Sequence, residues 1–418
     1  MELREYQKEL VKQAKHILDC RGIVYVAAEC RVGKTPTALA IADEVRCGGR
    51  VLWLTPKAAI SSILDDSRGY SWAKDFLTIC NRESIHKIGE GPYSVIVADE
   101  SHRDGAYPKP SKTVQAMSEM AHGAKIILLS GTPSVETGAQ LYHQFWWSGK
   151  GPWASYRKFY DWHRTKGIPA KKKVGAGLET NDYSKVLPCV VDEVKDFVVT
   201  LTQAEAGFQH APKLIPHLLQ KPADLAGFQR AFWKTGIAEL GERTVVAENI
   251  AAKLQKLHMS EGGTLVDDQE RAFDHGMDSH YKVRYVAKKM ERGKEYAIFT
   301  AYIAERELII DYLIDHGFTI ATELAEFKSG CGKIFVGSGL ANAEGVDLAW
   351  MTGDMIIYSL NWSGAKFCQL LERQNNFRRD RPINVHVLLC CGGIDERVFE
   401  ALSQKKNFNA GFYHKAKK

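Results

Sequence analysis

An apolar run from Ile23 to Ala28, followed closely by Gly33-Lys34-Thr35-Pro36, constrains this chain more than any other stretch. The run predicts a buried strand, and the residues after it predict a loop that opens a helix. Pro36 falls in the first helical turn, where its missing N–H costs little. Backbone N–H groups at such a helix start can wrap phosphates, Lys34 can reach the β and γ oxygens, and Thr35 can hold Mg²⁺. The full pattern asks for Gly where Ala28 stands. The tripeptide is common by chance, so its meaning rests on the strands further along the chain.

The stretch Tyr93-Ser-Val-Ile-Val-Ala-Asp-Glu-Ser-His102 predicts a second buried strand ending in adjacent carboxylates. Asp99 can hold Mg²⁺ while Glu100 orients and deprotonates an attacking water, the division of labour that phosphoryl transfer needs. A solvated acidic turn is the bland alternative, and it loses weight behind a phosphate loop. A third strand, Lys125-Ile-Ile-Leu-Leu-Ser-Gly-Thr-Pro133, ends in small polar residues. Strands that end in function-bearing loops are what the carboxyl edge of a parallel α/β sheet provides.

Gly-Lys-Thr, Asp-Glu-Ser-His and Ser-Gly-Thr-Pro, in that order, resemble motifs I, II and III of superfamily 2 helicases. The resemblance is nearest to the Swi/Snf-like double-stranded DNA translocases and their compact phage relatives. Leu3-Arg4-Glu5-Tyr6-Gln7 is similar to the adenine-reading Q motif, which assigns Arg4 and Gln7 to the nucleotide. Leu52 to Lys57 resembles motif Ia, and Ile79 to Ile85 resembles a further Swi/Snf block. Glu295 to Tyr302 looks like motif IV. Ser338 to Leu348, with Gly345 and Asp347, looks like motif V, and Gln369 to Arg373 looks like the opening of motif VI. The resemblance covers nearly the whole chain. It implies an α/β fold of two RecA-like lobes, parallel sheets flanked by helices, with a helical, aromatic and basic insertion between them. The expected boundaries are a first lobe over 1–145, the insertion and connector over 146–275, and a second lobe over 276–418.

Two departures stand out. Arg31 occupies a position where the family has Gly. Motif VI has Asn376 where a second arginine is expected, and counting back from Val385-His386 moves the arginine finger to Arg378, with Arg379 as the rival. A finger of this kind is worth roughly 10³–10⁵ in rate. The alternative for Arg373, Arg378, Arg379 and Arg381 is a solvated basic turn.

Residues 1–19 predict an amphipathic helix with Leu3, Tyr6, Leu10, Ala14 and Ile17 on one face. Between Phe145 and Trp162 large aromatics crowd together, with Arg157, Lys158, Arg164, Lys166 and Lys171-Lys172-Lys173 interleaved or close behind. Such mixtures can grip phosphates and stack on bases. For the aromatics an ordinary core role is the preferred reading. For Lys171 to Lys173, a nucleic-acid-contacting loop and a solvated loop stand level. Residues 200–275 predict a mostly helical connector. The net charge of +6 and pI near 8.7 suit a polyanion partner without requiring one. Nine scattered cysteines without Cys-x-x-Cys pairs suggest a reducing compartment and no zinc. The apolar runs are too short for a bilayer, and the N-terminus lacks a signal-peptide pattern, so a cytoplasmic protein with no membrane partner is expected. A monomer is favoured, and the small size hints at a phage or mobile-element origin.

Together these readings imply an ATP- and Mg²⁺-dependent motor on duplex or branched DNA, suited to branch migration or fork reversal. ATP would lie between the lobes, with Arg373 and Arg378 reaching its γ-phosphate. His102 and the Ser130–Thr132 loop are candidates for coupling that site to movement, and a satisfied local histidine is the alternative for His102. An RNA helicase is the rival within the class. The ATPase of a packaging or restriction machine would need a nuclease centre of clustered carboxylates, absent from the sequence after residue 275. A signalling nucleotide-binding module would have no use for the two arginines.

Overall fold

The computed structural model describes residues 2–404 apart from 90, 135, 175–177, 339–347, 373, 376–378 and 380. The chain divides into two compact units at Phe208.

The first unit is built on six parallel strands. In chain order these are β1 (Ile23–Ala28), β2 (Val51–Thr55), β3 (Leu77–Asn81), β4 (Val95–Ala98), β5 (Lys125–Ser130) and, after a two-stranded hairpin of β6 (Lys171–Val174) and β7 (Leu178–Asn181), β8 (Val198–Leu201). Their order across the sheet is β3-β2-β4-β5-β1-β8. Every residue of β1 is buried, as a parallel strand covered on both faces requires. Ile23, Tyr25 and Ala27 face one core while Val24, Val26 and Ala28 face the other. Helix α1 (Glu5–Arg21) lays Leu10, Ala14, Ile17 and Leu18 on the second of these cores. It stops at Gly22, whose φ of 71° lies in the left-handed region that favours glycine.

The crowded aromatics belong to this first unit. Trp147, Trp153, Phe159 and Trp162 are buried in its first core, and Tyr160 is exposed. Lys171 to Lys173 form a strand where the sequence reading expected a loop. β6 pairs antiparallel with β7, setting Lys171 opposite Asn181, Lys172 opposite Thr180 and Lys173 opposite Glu179.

The second unit repeats the architecture. Its strands are β9 (Lys213–Leu219), the hairpins β10 (Ile237–Leu240) with β11 (Arg243–Val246) and β12 (Thr264–Val266) with β13 (Ala272–Asp274), then β14 (Tyr296–Thr300), β15 (Ile320–Ala321), β16 (Ile334–Ser338), β17 (Asp354–Ile357) and β18 (Asn384–Cys390). Six of them form a parallel sheet in the order β15-β16-β14-β17-β18-β9. The segment expected to be mostly helical does supply helices Ala223–Thr235 and Ile250–Glu261, but also five strands. β9 carries Pro216 and is tolerated because it is an edge strand. β10 and β11 are too short to show a period, and Gly241 at φ 62° turns the chain between them.

Beneath the carboxyl edge of this second sheet lies a buried ionic cluster. Lys282 is ion-paired with Asp395 and donates to the Tyr358 carbonyl at 3.3 Å. His258 meets Asp395 through Nε2 at 2.9 Å and the Tyr302 hydroxyl through Nδ1 at 2.9 Å. The Glu261 carboxylate accepts from the Ile394 and Asp395 amides at 2.7 and 2.9 Å. Glu305 is fully buried beside Ser359, and burial pushes its carboxyl up to about 7. Among the described residues no helix is long and apolar enough to cross a membrane.

Candidate active site

β1 ends at Ala28, and the chain passes through Glu29 to Val32 before helix α2 (Lys34–Val45) begins. Arg31 stands at φ 66° and Gly33 at φ 85°. The left-handed region costs a non-glycine residue on the order of 1 kcal/mol, which accounts for a glycine preference at position 31 and makes the arginine there a tolerated exception. At Gly33 a side chain is excluded, because a Cβ would lie 2.5 Å from Gln7 Nε2. The Lys34 ammonium donates to the Glu29 carbonyl at 3.2 Å. Thr35 occupies the first turn of α2.

The Q-motif residues are brought against this loop. Gln7 is buried, its Nε2 donating to the Gly33 carbonyl and to Thr37 Oγ1, both at 3.2 Å. Its Oε1 accepts from the Arg4 amide at 3.0 Å. The Arg4 guanidinium donates to the Tyr6 hydroxyl at 3.2 Å, and that hydroxyl donates to the Val32 carbonyl at 3.3 Å.

Asp99 and Glu100 follow β4 directly. Asp99 Oδ2 accepts from Thr55 Oγ1 at 2.8 Å, and Oδ1 accepts from the Glu100 amide at 3.0 Å. Burial and the adjacent Glu100 charge push the Asp99 carboxyl up. Burial alone would push Glu100 up too, but His102, Lys34 and Arg103 outweigh it and hold Glu100 below the usual carboxylate range. Glu100 Oε2 lies 3.3 Å from His102 Nδ1. His102 Nδ1 is hydrogen-bonded to Ser130 Oγ at 3.0 Å, and Ser130 Oγ accepts from the Thr132 amide at 3.0 Å. The loops after β4 and β5 are therefore joined through His102.

The sequence reading missed three residues here. Tyr25, in the middle of β1, accepts from Ser101 Oγ at 2.9 Å and donates to Gln144 Oε1 at 2.7 Å. Gln144 in turn donates to the Pro133 carbonyl at 2.9 Å. Arg82 is buried, ion-paired with Asp104, and donates to the Asp99 carbonyl at 2.5 Å. A lone tyrosine hydroxyl inside an apolar strand was the available signal, since a buried hydroxyl demands a partner.

The donor set suits a triphosphate with Mg²⁺. A cation and the amide start of α2 face a carboxylate pair. Glu100 Oε2 and Thr132 Oγ1 are buried without a hydrogen-bond partner among the described residues. A Cβ added at Gly131 would stand 3.4 Å from Lys34 Nζ, which sets the loop after β5 beside the phosphate loop.

Of the remaining predicted residues, Arg373, Arg378, Gly345 and Asp347 lie outside the described residues. Arg379 Nη2 donates to the Met351 and Gln374 carbonyls at 2.5 and 2.8 Å, which occupies it inside the second unit. Lys171 and Lys172 are exposed on β6, and Lys171 Nζ is 3.6 Å from Glu179 Oε2.

Two parallel six-stranded sheets, each flanked by helices, define the class: this is an α/β fold of two RecA-like lobes. The solved structure of the Pyrococcus furiosus Hef helicase domain matches at a TM-score of 0.53 over 96% of this chain and 98% of that one, at 13% identity. The Sulfolobus solfataricus SWI2/SNF2 ATPase core, solved in complex with double-stranded DNA, matches at a TM-score of 0.43 and 16% identity, over 99% of this chain and 94% of that one. Among curated proteins, protein p41 of Acyrthosiphon pisum secondary endosymbiont phage 1 is 22% identical over 334 residues, which is 75% of this chain and 71% of that protein. No family model matches the chain.

Proposed function

We propose that this chain is an ATP-dependent motor on double-stranded or branched DNA. The observation that carries the reading is the meeting of the Lys34 loop, the Asp99–Glu100 pair and the Ser130–Thr132 loop at one sheet edge, with His102 bridging the last two. Lys34 and the amides opening α2 would bind the β- and γ-phosphates. Thr35 and Asp99 would hold Mg²⁺, which when bound supplies charge neutralisation at the phosphoryl oxygens. Glu100 would orient water and take its proton as the water oxygen bonds to the γ-phosphorus and the bond to the ADP oxygen breaks. The helicase resemblance assigns Arg373 and Arg378 to the charge of the transferring group, and Arg4 and Gln7 to the adenine end.

The same geometry supports a coupling route. Glu100 would feel the departing phosphate, His102 lies against Glu100, and Ser130 is hydrogen-bonded to His102, so hydrolysis would reach the loop after β5 through contiguous contacts. The choice of duplex DNA over RNA rests on the Swi/Snf-like motifs, and Lys171, Lys172 and Lys173 supply cations suited to phosphate contact that ignores sequence.

The deciding experiment is steady-state ATP hydrolysis with no nucleic acid, duplex DNA, single-stranded DNA, a four-way junction or RNA, beside a Lys34→Ala control. Stimulation by duplex or junction DNA that disappears in the control is the expected outcome. Stimulation by RNA alone would transfer the chain to the RNA helicases. Hydrolysis indifferent to every polymer would refute the motor reading.

A further inference from the structure

The loop after β1 is hydrogen-bonded to the segment through which the chain leaves the first unit. β8 is the edge strand beside β1, in register from Tyr25 opposite Val198 to Ala28 opposite Leu201. The ladder does not stop where β1 stops. The Glu29 amide donates to the Leu201 carbonyl at 2.9 Å. The Gln203 amide donates to Glu29 Oε2 at 2.6 Å, and the Gln203 side chain donates through Nε2 to the Cys30 carbonyl at 3.0 Å. Gln203 is 7% exposed, so these bonds are shielded from water.

Residues 202–208 then fold into one tight turn. The Phe208 amide donates to the Gln203 carbonyl at 2.9 Å and the Ala206 amide to the Thr202 carbonyl at 3.1 Å, with Ala206 and Phe208 packed into the core beneath α1 and α2. The second unit begins at the next residue, Gln209. Glu29 is thus engaged through its amide, its carboxylate and its carbonyl, and the carbonyl accepts from the Lys34 ammonium. The Lys34 ammonium has three N–H donors, so the same group that would meet a phosphate also touches the Glu29 carbonyl.

We propose that Glu29 and Gln203 are positioning residues that hold the phosphate loop for nucleotide and pass its occupancy to the 202–208 turn. The inference rests on the ATPase reading above. A carboxylate accepting from an amide is a charge-assisted bond, stronger than a neutral one, and an amide side chain capping a loop carbonyl fixes the loop's direction. A loop ordered by ligand slows the opening of whatever is hydrogen-bonded to it.

The test is backbone hydrogen exchange of the wild-type chain over 202–208, with and without saturating ADP and Mg²⁺, alongside fluorescent-ADP titration of Glu29→Gln, Glu29→Ala and Gln203→Met. Saturating ADP is expected to slow exchange over 202–208 by more than about threefold, an opening effect local to the liganded element. Glu29→Ala is expected to weaken ADP binding by roughly tenfold, the scale of one missing charge-assisted bond, and Gln203→Met, which loses the neutral bond to the Cys30 carbonyl, by roughly threefold. Glu29→Gln keeps an acceptor and is expected to recover most of the affinity. Exchange over 202–208 indifferent to bound ADP overturns the proposal whether or not a variant folds. So do variants that bind as tightly as wild type. Wild-type protein that is folded yet binds no ADP overturns the ATPase reading itself, and the relay with it.

Discussion

Glu100 keeps its charge where burial opposes it, because His102 lies against it and the Lys34 and Arg103 charges stand near it. A carboxylate held ionised in this way orients water well and is a modest base. Glu100→Gln is therefore expected to lower kcat by roughly 10²–10⁴ while leaving the ATP Kd within about threefold of wild type, the split that marks a group acting in the transition state. Single-turnover hydrolysis and nucleotide titration separate the two, and a variant retaining half the wild-type rate would remove Glu100 from the chemistry. Tyr25 makes a different kind of contribution. Its hydroxyl joins Ser101 to Gln144 inside a dry core, so Tyr25→Phe leaves two buried groups short of a partner and is expected to cost about 1–3 kcal/mol in urea unfolding. An unchanged midpoint would mean that those groups find other partners. The positions of Asp99, Glu100 and Ser130 at strand ends and of Lys34 at a helix start were legible in the sequence because each follows an apolar run with its own local pattern. Tyr25 and Gln144 were not, because they stand 119 residues apart and only the packed sheet brings them together.

At the scale of elements, the parallel strands were the most legible part, since burial on both faces leaves unbroken apolar runs such as Ile23–Ala28 and Ile126–Leu129. Edge and hairpin strands were the least legible. β9 exposes Lys213, Pro216 and Leu218 and buries only Leu219, and β6, half of a hairpin, is three lysines and a valine, a composition with poor strand preference. That hairpin gives the DNA reading its cleanest element-level test. An ion pair at 3.6 Å between Lys171 and Glu179, with both side chains largely exposed, stabilises little, so it leaves Lys171 available to a polyanion. Replacing Lys171, Lys172 and Lys173 together with alanine is expected to weaken duplex binding uniformly across sequences. It should also flatten log K against log salt by about 0.9 for each phosphate the variant no longer neutralises. Fluorescence anisotropy over a salt series measures both, and an unchanged slope would place the nucleic-acid grip elsewhere.

Each unit has its own parallel sheet and its own cores, so each can be expected to carry its own unfolding transition, and the buried ionic cluster belongs to the second. Glu305 makes that transition pH-dependent in a direction that can be worked out. Burial raises its carboxyl from the ordinary 4.5 to about 7. Below pH 4.5 both folded and unfolded states hold the proton, and the contribution is fully present. Between 4.5 and 7 the unfolded chain releases the proton while the folded unit keeps it, so stability falls with rising pH and levels off above 7. A displacement of this size corresponds to about 3 kcal/mol. Within the neighbouring cluster Asp395 has the opposite sign, because the Lys282 charge holds it down against the upward push of burial, whereas burial pushes Glu261 up as it does Glu305. The wild-type curve alone would therefore mix opposing slopes, and the informative quantity is the difference from Glu305→Gln, which keeps an oxygen for Ser359 and has no proton to lose. Urea unfolding of the second transition at pH 5 and pH 8 is expected to show the variant gaining on wild type by about 3 kcal/mol at the higher pH, less what has already titrated at pH 5. Parallel curves for the two proteins would mean that Glu305 keeps an ordinary carboxyl despite its burial, and that water or Lys282 reaches it in the folded unit.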